Sequence, residues 1–562
     1  MKAFKLIAFS ILILIQISGN LFAQIQYFEN GVVSSSSEIA SQVGIDILKK
    51  GGNAIDAAVG TGFALAVVYP QAGNLGGGGF MVIHLSDGTN TSIDYREKAP
   101  LLADRDMYLD SNGNVVLNLS TIGNLAAGVP GSVAGMLYSH EKYGSLQRSD
   151  VIDYAINIAD TGFFVNQQLA DNLNSYQKDF VKYPETMEIF GGSFKEGDRL
   201  IQKDLANTLR RIRDYGKEGF YFGETAELIV NEMNNSNGII SYEDLLVYEA
   251  KERNVLKGTY RGYEIISMGP PSSGGISLIY LLNILENFDL RSNGYRSAEN
   301  INIMTEAMRR VYADRSEFMG DADFVNVPAD ILTSKVYAER RMSDFKTGIA
   351  SSSNEVKHGD AYYRESDQTT HYSIADNKGN MVSVTTTLND VFGNKVVVKG
   401  AGFFLNNEMD DFVSKPGIPN LYGLVGSEAN SIQPEKRMLS SMTPTLIFKD
   451  NKPFLIVGSP GGGRIITSVL QTIINIVDYD MTLEEAVNSP RFHHQWLPDE
   501  IQVENGLLNK SRLLKLQNMG YSIKDINDFG RIDAILFTED GRMTGYSDRR
   551  GSGKALGYKI QY

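Results

Sequence analysis

The stretch 37–71, "SEIASQVGIDILKKGGNAIDAAVGTGFALAVVYPQ", constrains the fold more than any other. Apolar residues recur at helical spacing on either side of Gly51-Gly52, which predicts two helices with a break between them. The second is apolar nearly all round. A helix without a polar face has to be covered on every side, so the chain needs a layered interior. Strands follow at 79–88 and 90–100, joined by an Asp-Gly turn. Residues 145–320 read as mainly helical, with helices over 147–161, 200–214, 275–288 and 298–318. Strands return at 369–376, 380–388, 442–449 and 453–458, helices at 463–478 and 482–489, and a strand near 531–537. That order predicts an α+β fold in which sheets are sandwiched between helical layers. The segment 346–368 is polar, serine-rich and aperiodic, and predicts a long exposed connection.

The N-terminus, "MKAFKLIAFSILILIQISGNLFAQIQ", has Lys2 and Lys5 ahead of an apolar run and Ala23 before Gln24. The run is too short to span a bilayer well, so 1–23 reads as a cleaved secretory signal. With 53 basic and 67 acidic residues the net charge is −14. That balance argues against a nucleic-acid partner, whose phosphates demand basic surfaces. There is no cysteine, which removes disulfides, thiolate catalysis, cysteine-based metal sites and a lipid anchor. The expectation is an exported protein without a membrane anchor, with the periplasm favoured over the extracellular space.

Several motifs lead nowhere. "GNLGGGGF" (73–80) lacks the Lys-Ser/Thr of a phosphate loop and suits close backbone approach instead. "SDFKTG" (343–348) would need Lys346 to serve two penicillin-enzyme signatures at once. The adjacent histidines of "RFHHQW" (491–496) do not match zinc spacings and read as structural; no metal and no cofactor is expected.

The segment "DQTTHYSIADNKGNMVSVTTTLN" (367–389) is a hairpin pattern, with Asn377-Lys378-Gly379 as a three-residue loop. Carried along one register, Thr369 falls opposite Thr387, and His371 and Asn389 share their face. The other face carries Ile374, Val382, Val384 and Leu388 and reads as core. A threonine-lined face is either an ordinary exposed sheet surface or a place for chemistry. If Thr369 is a nucleophile, His371 cannot be its base. Residues two apart on a strand are separated by about 6.6–7 Å, beyond hydrogen-bond reach. Its own α-amino group would serve, but only if Thr369 begins a chain. Downstream, "LNNEMDDF" (405–412) follows an apolar-aromatic strand pattern, "RMLSSMTP" (437–444) pairs two serines, and "GSPGGGRI" (458–465) joins a strand to a helix, where backbone N–H groups can hold an oxyanion.

These residues, with "GGNAIDAAV", "PQAGNLGGGGF", "DYREKAP", "PPSSGG" and "RFHHQWLPDE", resemble the γ-glutamyltranspeptidase family of N-terminal-nucleophile hydrolases, from about residue 26 to the end. The resemblance implies a four-layer α-β-β-α sandwich and a precursor that cleaves itself between Gln368 and Thr369. The products would be a large subunit, 24–368, and a small catalytic subunit, 369–562, in one folded unit. It further implies that Thr369 is the nucleophile, Thr387 its hydrogen-bonding partner, and Gly461 and Gly462 the oxyanion donors. Arg96, with Ser440 and Ser441, would bind the α-carboxylate of a γ-glutamyl group, and Asn389, Glu408 and Asp411 its α-ammonium. Tyr422, within 416–430, matches the lid residue. The implied reaction cleaves the γ-glutamyl amide of glutathione and related compounds and passes the acyl group to water, amino acids or peptides. Met438, Gly463 and Gly269 depart from the family pattern without removing a named group. A β-lactam acylase of the same fold and a non-catalytic periplasmic binding protein for acidic peptides are the alternatives.

Overall fold

The computed structural model describes residues 25–116, 118–357, 368–415 and 427–559. The signal segment and Tyr422 lie outside the described residues. Two antiparallel sheets stack face to face. The first has seven strands, in the order Lys554–Tyr558, Gly31–Ser35, Gln368–Asp376, Met381–Asn389, Gly78–His84, Asn90–Asp94, Lys251–Arg253. The second has six, in the order Met543–Ser547, Asp533–Phe537, Lys452–Gly458, Thr445–Lys449, Tyr263–Ser267, Leu256–Tyr260.

The outer faces are covered by helices, giving the four layers. Glu38–Lys49, Ala54–Val68, Ser132–Tyr143 and Arg148–Thr161 share one apolar core with Ile374, Val382, Val384 and Leu388. Gly274–Leu285, Ala298–Phe318 and Arg464–Val477 pack on the second sheet. All 15 residues of Ala54–Val68 are buried, as its uniform apolarity requires. Its first turn is tied to the hairpin by Asp376. One carboxylate oxygen accepts from Ala54 N at 3.0 Å, while the other accepts from Lys378 N and Asn380 N in the hairpin loop. Gly379 takes the positive φ (91°) that the loop needs.

Five expectations need correction. The hairpin register runs unbroken from Met381↔Ala375 to Thr386↔Thr370, then slips, so that Asn389 pairs with Gln368. A bulge therefore replaces the Thr369–Thr387 pair, and Asn389 takes a positive φ of 74° beside it. Second, the threonine face is not exposed: it is sealed against the second sheet. His371 is buried, with Nδ1 2.9 Å from Thr385 Oγ1 and Nε2 3.1 Å from Ser373 Oγ, so both ring nitrogens contact hydroxyls. Third, 346–357 is partly packed down. The Trp496 indole donates to the carbonyls of Ser353 and Val356 at 2.9 Å, Asp499 accepts from Ser353 N at 2.7 Å, and Arg309 donates to Ser353 Oγ. Fourth, the apolar-aromatic run before Asn406 forms isolated bridges, not a strand. The "mainly helical" region also hides strands, Lys251–Arg253 on one sheet and the hairpin Leu256–Ser267 on the other.

The seam between the sheets has a polar centre. Ser373 Oγ donates to Asp533 O at 2.9 Å, Thr445 N donates to Ser383 Oγ at 3.1 Å, and the Asp533 carboxylate accepts from Ser34 Oγ (2.9 Å) and Ser547 Oγ (2.5 Å). Burial pushes the Asp533 carboxyl up to about 7, against the pull of its two serine donors. The folded protein thus binds a proton that the unfolded chain releases at ordinary carboxylate pH, so this group makes stability fall as pH rises from about 4 to about 7. Asp533→Asn is expected to flatten that slope by a few kcal/mol, on the order of 1.4 kcal/mol per pH unit of the window. Urea midpoints across the range check this; equal slopes in parent and variant would refute it.

Candidate active site

The ends of three central strands meet at one edge of the sandwich. Gln368–Asp376 brings Thr369, Met381–Asn389 brings Thr387 and Asn389, and Lys452–Gly458 runs into the glycine loop before helix Arg464–Val477. There a small pocket is lined by Arg96, Thr369, Thr387, Asn389, Glu408, Asp411, Ser440, Met442, Gly462 and Ile465. Eight of these were singled out from the sequence. They come from segments spread across the chain, which no local pattern would assemble.

The glycines of 76–79 make this convergence possible. A Cβ on Gly77 would sit 2.0 Å from Thr387 O, and one on Gly79 2.4 Å from Thr385 O. Side chains there would push the strand Gly78–His84 off the hairpin. Asn389 is held by donation from its N to Thr387 Oγ1 at 2.7 Å and from its Nδ2 to Asn407 O at 3.1 Å. Glu408 and Asp411 lie on a short 3-10 helix, Glu408–Asp411, whose start is anchored by Glu408 N donating to Asn406 Oδ1 at 3.0 Å. Asp410, between them, turns away and accepts from Ser120 Oγ.

Arg96 is buried at the floor. Its Nη2 lies 2.5 Å from Asp411 Oδ2, and its Nη1 lies 2.7 Å from Glu408 Oε2 and 3.4 Å from Glu97 Oε2. The Glu408 contact is an ion pair not aligned as a hydrogen bond. Burial raises all three carboxyls while the Arg96 guanidinium opposes it. Glu97 is pushed up to about 7, Glu408 well above the usual carboxylate range, and Asp411 upward. Arg96 opposes that burial at all three carboxyls, and the Arg315 guanidinium adds its pull on Asp411.

Two candidates stand apart from the pocket. Ser441 Oγ accepts from Arg315 Nη2 at 2.8 Å, so its hydroxyl is taken up behind the wall. Gly461 lines a neighbouring larger cleft, while Gly462 faces Thr369. Both glycines have positive φ, 131° and 56°, which opens the loop ahead of the helix N-terminus. His371 cannot act as a base here, because burial holds it down at about 3 and leaves it a neutral packing group.

A family profile described as Gamma-glutamyltranspeptidase matches residues 40–558. The chain belongs to the γ-glutamyltranspeptidase family. It is 48% identical over 527 residues to the glutathione hydrolase proenzyme of Escherichia coli (strain K12), covering 93% of this chain and 90% of that one. A crystal structure of Helicobacter pylori γ-glutamyltranspeptidase matches at 51% identity and TM-score 0.57, over 58% of this chain and 94% of that chain. A cephalosporin acylase from Bacillus halodurans superposes with TM-score 0.84 over 96% of this chain and 97% of that chain, but at 24% identity this is a likeness of fold alone. Membership makes the chain an enzyme of γ-glutamyl transfer and hydrolysis with a threonine nucleophile, on the N-terminal-nucleophile hydrolase fold. Among the described residues, no helix is long and apolar enough to cross a membrane.

Sequence reasoning missed two groups that this γ-glutamyltranspeptidase-family site depends on. Glu97 sits beside Arg96 in "DYREKAP", fully buried, and its adjacency was the available signal. Arg315, on helix Ala298–Phe318, bridges Ser273 Oγ (2.7 Å) and Ser441 Oγ. Ser273 in turn donates through N and Oγ to Ser440 O at 2.7 Å, which explains what "PPSSGG" does: it buttresses the serine loop.

Proposed function

We propose that the chain is an exported proenzyme that cuts itself between Gln368 and Thr369, yielding 24–368 and 369–562 as one folded unit, most simply in the periplasm. Thr369 Oγ attacks the Gln368 carbonyl, the peptide C–N bond gives way to an ester, and water hydrolyses the ester. The freed α-amino group of Thr369, with an ordinary pKa of about 7.7–8.0, is then the base at neutral pH.

In the mature enzyme Arg96 and Ser440, with Ser441 behind, take the α-carboxylate of glutathione or another γ-glutamyl compound. Asn389, Glu408 and Asp411 take the α-ammonium. The observation that carries this reading is the Arg96 guanidinium beside Glu408 and Asp411 in the wall of the Thr369 pocket. A zwitterionic head group matches it: the ligand's carboxylate meets the Arg96 guanidinium, and its ammonium meets the carboxyls of Glu408 and Asp411. The γ-carbonyl is left over Thr369, where the hydroxyl adds, Thr387 orients it, and the N–H groups of Gly461 and Gly462 receive the oxyanion. The amine departs with the proton taken from Thr369. Water, an amino acid or a peptide amine then attacks the ester and regenerates the hydroxyl. Tyr422 serves as the lid.

Purified protein should run as two fragments on a denaturing gel, the smaller beginning Thr-Thr-His-Tyr-Ser. It should release p-nitroaniline from γ-glutamyl-p-nitroanilide and leave an apolar β-lactam side-chain amide intact. A single uncut chain, or preference for the β-lactam, would overturn the reading and favour a binding protein or an acylase respectively.

A further inference from the structure

The helix Ala298–Phe318 is buried along nearly its whole length, yet it carries arginines and an aspartate that an apolar core would exclude. Polar side chains persist in such a place where they have partners to hold. Two of them hold the loops that line the Thr369 pocket. The Tyr312 hydroxyl donates to the carbonyl of Gly463, the residue after Gly462. Arg315 donates from Nε to Ser273 Oγ at 2.7 Å and from Nη2 to Ser441 Oγ at 2.8 Å. Positions 312 and 315 are three apart, so both side chains leave the same face of the helix.

Neither side chain lines the pocket; each reaches it through the loop it holds. Gly463 stands between Gly462, which faces Thr369, and the helix Arg464–Val477. Tyr312 is propped from behind by the His493 ring, edge-on at 5.5 Å, and His493 Nδ1 lies 2.9 Å from Thr467 Oγ1 on that same helix. On the other side, Ser273 donates through N and Oγ to Ser440 O at 2.7 Å, and Ser440 lines the pocket. The serine loop continues to the floor, where Met438 O and Leu439 O accept from Arg96 Nε and Nη2, each at 3.3 Å. One helix face therefore braces both the loop that would receive the oxyanion and the loop that would receive the α-carboxylate. A close-packed helix transmits position rather than absorbing it, so the spacing between the two loops follows from the step between 312 and 315.

We propose that Tyr312 and Arg315 are positioning residues that act as a ruler for the donor. They fix the distance from the oxyanion loop to the serine loop, and so select the number of carbons between the scissile carbonyl and the α-carbon. A γ-glutamyl group, with two methylenes, fills that distance. A β-aspartyl group, with one, leaves either its carboxylate or its carbonyl short of its partners. The inference rests on the γ-glutamyl reading above and adds to it the origin of the preference for chain length.

The test compares γ-glutamyl- and β-aspartyl-p-nitroanilide on the mature parent and on Tyr312→Phe, Arg315→Gln and Arg315→Lys. The parent should prefer the γ-glutamyl donor by roughly 10- to 200-fold in kcat/KM, the scale of one methylene in a fitted site. Tyr312→Phe and Arg315→Gln should each cut that ratio by about fivefold or more, because a released loop shifts far enough to meet the shorter chain. They should do so through different constants. Tyr312→Phe should act mainly on kcat, since the oxyanion forms only in the transition state, and Arg315→Gln mainly on KM, since the α-carboxylate is bound throughout. Arg315→Lys should keep part of the ratio. A merely structural role would lower activity on both donors alike and leave the ratio where it was. That result at either position overturns the ruler, which needs both ends, and so does a parent indifferent to chain length. Should Arg315→Gln fail to mature, Arg315→Lys takes its place under the same criterion. A parent that releases no p-nitroaniline from the γ-glutamyl donor overturns the γ-glutamyl reading itself, and the ruler with it.

Discussion

Thr369→Ala is expected to leave a single uncut chain and to lower γ-glutamyl turnover by about 10⁴-fold or more, the scale seen when a covalent nucleophile is removed. One hydroxyl is asked to do two jobs: attack the preceding carbonyl once, and carry the acyl group in every later cycle. Alanine ends both, and it also withholds the α-amino group, because that group exists only after the cut. The residue is 3% exposed at the end of a paired strand, and alanine keeps the backbone ladder there, so the fold should persist. Thr369→Ser should still cut and turn over, more slowly, since it keeps the oxygen and loses the methyl group that restricts its rotamers. A denaturing gel and a donor assay read both effects. Normal splitting of the alanine variant at that bond would sink the mechanism.

Arg96→Gln is the second large effect. The guanidinium reaches Asp411, Glu408 and Glu97 within 3.4 Å. Glutamine has neither the charge nor the fork to receive a carboxylate, and it leaves three buried acids facing one another. The expected loss in donor kcat/KM is about a hundredfold to a thousandfold, the range for removing one partner of a buried charged pair, with most of it in KM. Arg96→Lys should recover only part, because an ammonium cannot offer two parallel N–H groups. A donor KM within fivefold of the parent would show that the α-carboxylate binds elsewhere.

What the sequence revealed, and what it withheld, divides along the range of the interactions. The helix Ala54–Val68 and the 368–389 hairpin were legible because apolarity, period and loop residues are local signals. The slip at Thr386 was not, since it accompanies a backbone distortion at Asn389 that nothing in its neighbours announces. The pocket's members could be named by resemblance, but their arrangement could not. That Ser441 is occupied by Arg315, and that Gly461 and Gly462 face different cavities, depends on packing between distant segments. The serine-rich 346–357 misled for the same reason. Its composition reports solubility, whereas Arg309, Trp496 and Asp499, which hold it, are remote in sequence. Short strands at Lys251–Ser267 were lost inside a helical stretch because a strand of three to five residues has too few turns of its pattern to detect.

The strand order of the first sheet has a kinetic side. Among the described residues, the ladder partners of Gly31–Ser35 are Gln368–Asp376 and Lys554–Tyr558, both remote from it in sequence. Pairing this remote makes folding slow by loop-closure entropy alone. The same interleaving bears on the proposed cut: Gly31–Ser35 lies between two strands from beyond residue 367, so neither proposed fragment could leave without tearing ladders out of the other.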